Sequence, residues 1–385
     1  MRRLLVLVSV LVCVDTMLYA ALTPLLPHFA NELGLSKGQA GVLVAAYAAG
    51  ALVGGLPGGF ATVKLGAQRA VLVGLALMAL ASIGFAFANE FWTLFGARFL
   101  QGLGSGFTWA GAMSWLLAAT PRDRRGEYLG TAMGAAVFGA LFGPVLGAAA
   151  AILGRPAVFV ALSGLSVVLG AWALRLDDAP AEEPSLPAMW AALRNRTFLE
   201  GLGFMTLPAL LFGILALLGP LHLSAATWGA ASIGAVWLVS AAFETAESPL
   251  VGRLVDRRGN LYPVRISLVA SAVASTLLAF AGRPLVYVPL LLLASLAYGM
   301  LFTPAFTLLA DGAEAVGLAQ GMAFGLMNAA WATGALLGPA AAGAIADATG
   351  DAIPFLIAAA LCAGAFVLVR PGATRETAAV RAAKL

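Results

Sequence analysis

Charge is what this chain most conspicuously lacks. Only 10% of its 385 residues are charged, against 61% hydrophobic, and mean hydropathy is +0.95. Soluble domains carry about 25% charged and about 45–50% apolar residues, so a single water-soluble core is excluded. Cysteine is scarce as well: Cys13 and Cys362 both fall in apolar stretches, at opposite ends of the chain. Two such thiols exclude a disulfide framework and leave the redox compartment open. Histidine is limited to His28 and His222, and the sequence holds no CxxC pair and no Walker-type phosphate loop. Metal, cofactor and ATP-driven chemistry therefore have no carrier here, and no cofactor is expected. An enzyme working at membrane depth would need a Ser/His or His/Asp constellation, which two histidines at the ends of apolar segments do not provide.

What is present is a succession of apolar runs. A membrane span needs about 20 mainly apolar residues. Twelve are drawn, at roughly 4–29, 39–62, 69–88, 92–119, 127–152, 156–175, 198–222, 227–251, 262–281, 284–310, 318–346 and 352–369. The start, Met1-Arg2-Arg3 followed by Leu4 to Val14, imitates a signal peptide. Asp15 interrupts that run and the apolar stretch resumes to Pro27, so it is read as a retained first helix. Gly154-Arg155-Pro156 and Gly282-Arg283-Pro284 read as tight turns in which proline opens the next helix. The one long polar segment, Arg175 to Arg196, reads as a linker, and Ser185-Leu186-Pro187 either caps a short interfacial helix carrying Trp190 or extends the next span. The expected organisation is a six-span half at 1–175, a linker at 176–196, a second six-span half at 197–370 and a tail at 371–385.

The net charge of +4 points to no nucleic-acid surface, because no basic face with interleaved aromatics is seen. Its distribution has another meaning. With alternate loops taken as one side, the opposite loops hold only Lys37, Arg155 and Arg283, and Arg98 lies within a span. Every other lysine and arginine of the 22 falls on the side of the termini. Positive-inside bias then expects both termini in the cytoplasm of a bacterial inner membrane.

The two halves repeat. An offset of 193 carries Pro27 to Pro220, Gly59 to Gly252 and Gly66 to Gly259. An offset of 195 carries Phe107-Thr108 to Phe302-Thr303, and Gly126, Gly130, Gly139, Gly143 and Pro144 to Gly321, Gly325, Gly334, Gly338 and Pro339. An ordered series at nearly one offset is an internal duplication. Six spans per copy make the copies parallel, an arrangement that places a substrate site between them near the midplane.

Several motifs are specific enough to carry a resemblance. Gly139-Ala-Leu-Phe-Gly143-Pro144-Val-Leu-Gly147 resembles the antiporter motif of the major facilitator superfamily. Arg98-Phe-Leu-Gln101-Gly102-Leu-Gly104 resembles its span-four arginine motif, and Gly252-Arg-Leu-Val-Asp256-Arg257-Arg258-Gly259 its cytoplasmic gating loop. Asp15-Thr-Met-Leu-Tyr-Ala-Ala-Leu-Thr-Pro24 is similar to the first-span signature of the twelve-span drug:proton antiporters, near their vesicular amine branch. The resemblance implies an all-α integral membrane protein with the major facilitator fold, twelve transmembrane helices in two parallel six-helix pseudo-repeats. It implies a secondary transporter working by alternating access as a monomer in the bilayer, with a small molecule and protons as partners. Proton-coupled export of an amphipathic or cationic compound is the leading expectation, and a sugar or metabolite importer of the same fold is the alternative. Two positions depart from the pattern. Val63 stands where the first-half loop expects an aspartate, and Asn328 stands where vesicular amine transporters carry an acid.

Elementary physics singles out further residues. Asp15 lies about 16 Å into its span, at 1.5 Å per residue, and a carboxylate there must face a cavity, be paired or be protonated. Arg98 reaches a similar depth from the other side and needs an acceptor, for which Asp15 is the expected partner. Glu244 and Glu247 share one helical face, and two carboxylates this close favour keeping a proton between them. Glu247 alternatively snorkels to the interface or to Arg253. Tyr19, Tyr47, Gln101, Trp109, Trp237, Asn328 and Trp331 are candidate cavity-lining or coupling groups, with packing as the plain alternative for the aromatics. Gly139, Gly143, Pro144, Gly147, Gly334, Gly338 and Pro339 are expected to serve packing and hinge motion.

Overall fold

A computed structural model describes residues 2–121, 124–178, 185–318 and 320–369, and no strand occurs among them. Apolar composition and the absence of water as a hydrogen-bond partner favour helices, which satisfy their backbone internally. There are fifteen: α1 (Arg2–Ala20), α2 (Leu22–Glu32), α3 (Lys37–Leu65), α4 (Ala67–Phe87), α5 (Phe91–Ala119), α6 (Arg125–Leu153), α7 (Arg155–Ala173), α8 (Leu186–Ala192), α9 (Arg196–Ala225), α10 (Ala230–Arg258), α11 (Leu261–Phe280), α12 (Pro284–Gly299), α13 (Phe302–Ala315), α14 (Gln320–Thr349) and α15 (Ala352–Leu368). Helices α1 and α2 together make the first crossing, Arg2–Glu32, and α12 and α13 the tenth, Pro284–Ala315. Among the described residues nine segments are long and apolar enough to cross a membrane. The more polar α5 and α10 and the 17-residue α15 complete the twelve.

Both broken crossings break for the same reason. Leu22-Thr23-Pro24 follows the break at Ala21, and Phe302-Thr303-Pro304 follows the break at Leu301. Proline has no N–H for the carbonyl four residues back, and its ring crowds that carbonyl, so the helix yields one turn before it. Starts are set by caps. The Ser36 hydroxyl accepts from Gln39 N at 3.2 Å while the Gln39 side chain accepts from Ser36 N at 3.0 Å, closing a capping box on α3. Ser185 accepts from Ala188 N, which decides for a short separate α8 rather than an extension of α9. Pro156 and Pro284 open α7 and α12 as their turns predict.

The duplication reaches the level of single contacts. Gly66 and Gly259, 193 apart, both hold positive φ (94° and 75°) at equivalent junctions, a conformation that glycine adopts without a Cβ clash. In the first half α6 packs along α1, and the Thr16 hydroxyl donates to Ala136 O at 2.8 Å. In the second half α14 packs along α9, and the Thr206 hydroxyl donates to Ala330 O at 3.0 Å. A Cβ on Gly143 would stand 2.8 Å from Met17 O, and one on Gly338 would stand 3.0 Å from Leu210 Cα. These glycines let the helix backbones close on one another, the close approach that small residues permit in lipid.

The bundle has a terminus face, where α1 begins and α15 ends, and a far face. Arg122, residues 179–184 of the linker, Arg370 and the tail at 371–385 lie outside the described residues, as does the side chain of Val63.

Candidate functional site

The site begins at the first crossing. Asp15 is 2% exposed, and its Oδ2 accepts from the Ser105 hydroxyl at 2.9 Å and from Trp109 Nε1 at 2.6 Å. Ser105 and Trp109 are one turn apart on α5, so a single helix face offers both donors. Asp15 Oδ1 is buried and has no hydrogen-bond partner. Burying a carboxylate with one oxygen unmet is costly unless that oxygen takes a proton or a bound donor.

Arg98 corrects an expectation. Among the described residues it forms no ion pair with Asp15. Its Nη1 donates to Leu18 O at 2.8 Å and to Gln101 Oε1 at 3.0 Å, and its Nη2 donates to Tyr19 O at 3.1 Å. The guanidinium reaches backbone carbonyls in the last turn of α1, just before the break at Ala21, where a helix end leaves carbonyls available as acceptors. Its two terminal nitrogens find acceptors without the carboxylate, while Nε is buried with no hydrogen-bond partner. The Arg98 guanidinium also lies 5.0 Å from the centroid of the Tyr47 ring. Gln101, 0% exposed, acts as a bridge to Arg98 rather than as an open wall.

Three of the aromatic candidates meet in one cluster. Tyr19 lies 5.1 Å from Tyr47 and 5.1 Å, edge-on, from Trp331, ring centroid to ring centroid. Trp331 belongs to α14, so the cluster joins the two halves. Asn328 lies one turn before Trp331 on the same helix. Trp237 is not part of this group: a Cβ on Gly219 would touch its ring at 2.5 Å, so it packs between α10 and α9.

In the second half the Ser240 hydroxyl sits 2.9 Å from Glu244 Oε1 and 2.6 Å from the Ser295 hydroxyl. Glu247 lies on the same face, one turn closer to the terminus face, and both acids are half-buried. Asp256 and Arg257 of the gating loop are exposed, and Gly252 has open space beside it.

The halves touch at the far face. Far-face contacts are again paired by the repeat. Gly41 on α3 abuts the Pro339 carbonyl of α14, and Gly234 on α10, 193 residues later, would place a Cβ 3.1 Å from the Pro144 carbonyl of α6. A lock that sequence reading missed lies above them. Both oxygens of Asp347 accept from the start of α3, Oδ1 from Lys37 N and Oδ2 from Gly38 N, each at 2.8 Å, and Lys37 Nζ pairs with Asp351. The carboxylate thus caps a helix of the other half at its positive end. Toward the terminus face Gly130, Gly134, Gly252 and Gly325 have no neighbour where a Cβ would stand. The direct contacts between the halves described above thus lie at the far face.

Twelve crossings in two repeated halves, with a buried carboxylate on the first crossing, define a polytopic helical membrane protein. The model of the Major Facilitator Superfamily matches residues 8–324, and the chain belongs to that superfamily. An uncharacterized MFS-type transporter of Yersinia pestis (strain Pestoides F) is 29% identical over 265 residues, a stretch spanning 66% of each chain. A probable vesicular acetylcholine transporter-B of Danio rerio is 41% identical over 115 residues, covering 28% of this chain and 23% of that one. Among solved structures, a D-xylose-proton symporter superposes with TM-score 0.78 at 13% identity, covering 96% of this chain and 97% of that one. The nucleoside transporter NupG (D323A mutant) gives 0.74 at 16% identity, covering 95% and 99%. These likenesses concern the fold.

Proposed function

We propose that the chain is a proton-coupled antiporter that exports a small amphipathic or cationic compound by alternating access. The observation that carries this reading is Asp15, a buried carboxylate with an unmet oxygen, bonded to Trp109 and one turn before Tyr19, whose ring meets Trp331 of the other half. A proton satisfies that oxygen, and so does the cationic group of a ligand, which aromatic faces also attract. Competition between the two for one carboxylate is exchange. Differential stabilisation of far-closed and far-open states by each occupant then couples the two fluxes. Glu244, held by Ser240, is the second-half candidate for proton or cation binding.

Basic residues on the terminus side support an orientation with both termini in the cytoplasm of a bacterial inner membrane. The proposed units are residues 1–175 and 197–370, joined by a cytoplasmic linker at 176–196 and followed by the tail at 371–385, in a chain that works as a monomer. The test is transport in proteoliposomes with and without an imposed pH gradient, in wild type and Asp15→Asn. Antiport gives gradient-driven flux that Asp15→Asn abolishes. Flux of a sugar or nucleoside that ignores the gradient supports the importer reading instead, which the xylose and nucleoside transporters of the same fold keep in view.

A further inference from the structure

The second half holds a short chain of polar groups whose protons can be counted. Ser240 lies on α10 one turn before Glu244, and Ser295 lies on α12, so the two hydroxyls meet where these helices pack. Four oxygens follow in a row: Leu292 O, Ser295 Oγ, Ser240 Oγ and Glu244 Oε1. The gaps between them are 3.0, 2.6 and 2.9 Å, each a hydrogen-bond length. Both serines are buried, Ser240 at 4% and Ser295 at 1% exposure, so neither turns to bulk water instead.

Each gap needs one proton. A backbone carbonyl has none to give, and each hydroxyl has one. Ser295 donates to Leu292 O and Ser240 donates to Ser295 Oγ, which uses both hydroxyl protons. The remaining gap, between Ser240 Oγ and Glu244 Oε1, closes only when the carboxyl supplies the proton. With Glu244 charged, one of the three gaps would set lone pair against lone pair. The surroundings agree. Among the described residues the charged neighbour acting on Glu244 is Glu247, a like charge one turn along α10. Helix α12 carries no lysine, arginine, aspartate or glutamate. Its Gly299, at the break of the tenth crossing, lies against the acid, and a Cβ there would stand 3.3 Å from Glu244 Cγ. A carboxylate at membrane depth with no cation beside it is costly, and the neutral acid avoids that cost.

We propose that Glu244 is held as a neutral carboxylic acid in this conformation, donating to Ser240 Oγ, and that Ser295 is a positioning residue that fixes this state by taking the Ser240 proton. Ser295 acts through Ser240, and the Leu292 carbonyl anchors the row by taking the Ser295 proton in turn. The inference deepens the exchange reading and rests on it only for the use made of the proton. On that reading Glu244 is a proton site, and the cation has Asp15 to bind.

The experiment is infrared difference spectroscopy of the purified full chain in detergent, titrated with pH and following the C=O stretch of neutral carboxylic acids. Subtraction of Glu244→Gln isolates the Glu244 band, which wild type should show at neutral pH. Ser295→Ala returns the Ser240 proton to the carboxyl and favours its charged form. The midpoint at which the band disappears should then fall by about one pH unit, the effect of one hydrogen bond to a charged group. Ser295→Thr keeps the hydroxyl and should keep the wild-type midpoint. In Ser240→Ala the acid loses the acceptor of its O–H, and its band should persist at higher frequency, a second readout should Ser295→Ala fail to fold. Absence of a Glu244-dependent band from wild type at neutral pH, or a Ser295→Ala midpoint equal to that of wild type, would overturn the proposal. Neither result bears on Asp15, whose role is read from transport, so failure of this proposal and failure of the exchange reading are told apart.

Discussion

Replacing Asp347 by alanine should open the far face. The side chain is exposed, yet its two oxygens meet the N–H groups of Lys37 and Gly38 at 2.8 Å each, on a helix from the other half. A helix cap of this kind stabilises by about 1 kcal/mol, and exposure keeps the value near that figure. Because both partners separate when the far face opens, the whole amount bears on the closed state. About 1 kcal/mol shifts a two-state balance about fivefold toward the open form. The Lys37–Asp351 pair, also solvent-facing, adds less and fades with salt. Spin labels at exposed Asn31 and Gly282, one in each half, report the gap by double electron–electron resonance once Cys13 and Cys362 are replaced. Wild type should show mainly the short distance, and Asp347→Ala a longer population raised about fivefold. Gly38→Ala should act in the same direction, since its Cβ would stand 2.7 Å from Asp347 Oδ2. An unchanged distance distribution in both variants would refute the lock.

Other consequences follow from the packing. Gly143→Leu drives a side chain into Met17 O and Ala20 Cβ, and should abolish transport and lower the melting temperature far more than Gly143→Ala. Arg98→Lys replaces a planar fork by a single ammonium, leaves carbonyls of Leu18 and Tyr19 unmet, and should destabilise by about 2–4 kcal/mol, read as a fall in melting temperature. Thr16→Val and Thr206→Val remove equivalent bonds in the two halves, and each should cost about 1 kcal/mol in chemical unfolding; a large disparity would count against the equivalence.

The crossings and the duplication were legible because membrane composition leaves few alternatives and because glycine and proline mark backbone geometry directly. Gly66 and Gly259, paired by offset alone, share a left-handed backbone conformation. The contacts inside the site were less legible. Depth along a helix placed Asp15 and Arg98 near one level, but depth does not name an acceptor. The carbonyls of Leu18 and Tyr19 become visible as acceptors only once α5 is known to pass beside the end of α1. Ser105 was recoverable in part, as it lies one turn beyond Gln101 on the face of Arg98. The far-face lock was not, since Lys37 and Asp347 are 310 residues apart and neither departs from ordinary end-of-span usage. Ser240 and Ser295 were passed over because an isolated serine in a span carries no signal until its partner is placed.

The most direct test of the exchange reading is proton release on ligand binding. Purified protein in weakly buffered detergent, with a pH indicator, is mixed with the lipophilic cation tetraphenylphosphonium. If proton and cation compete for Asp15, wild type releases protons as the cation binds and Asp15→Asn releases none. Release of the same quantity by Asp15→Asn would contradict the account, because the exchanged proton would then reside elsewhere.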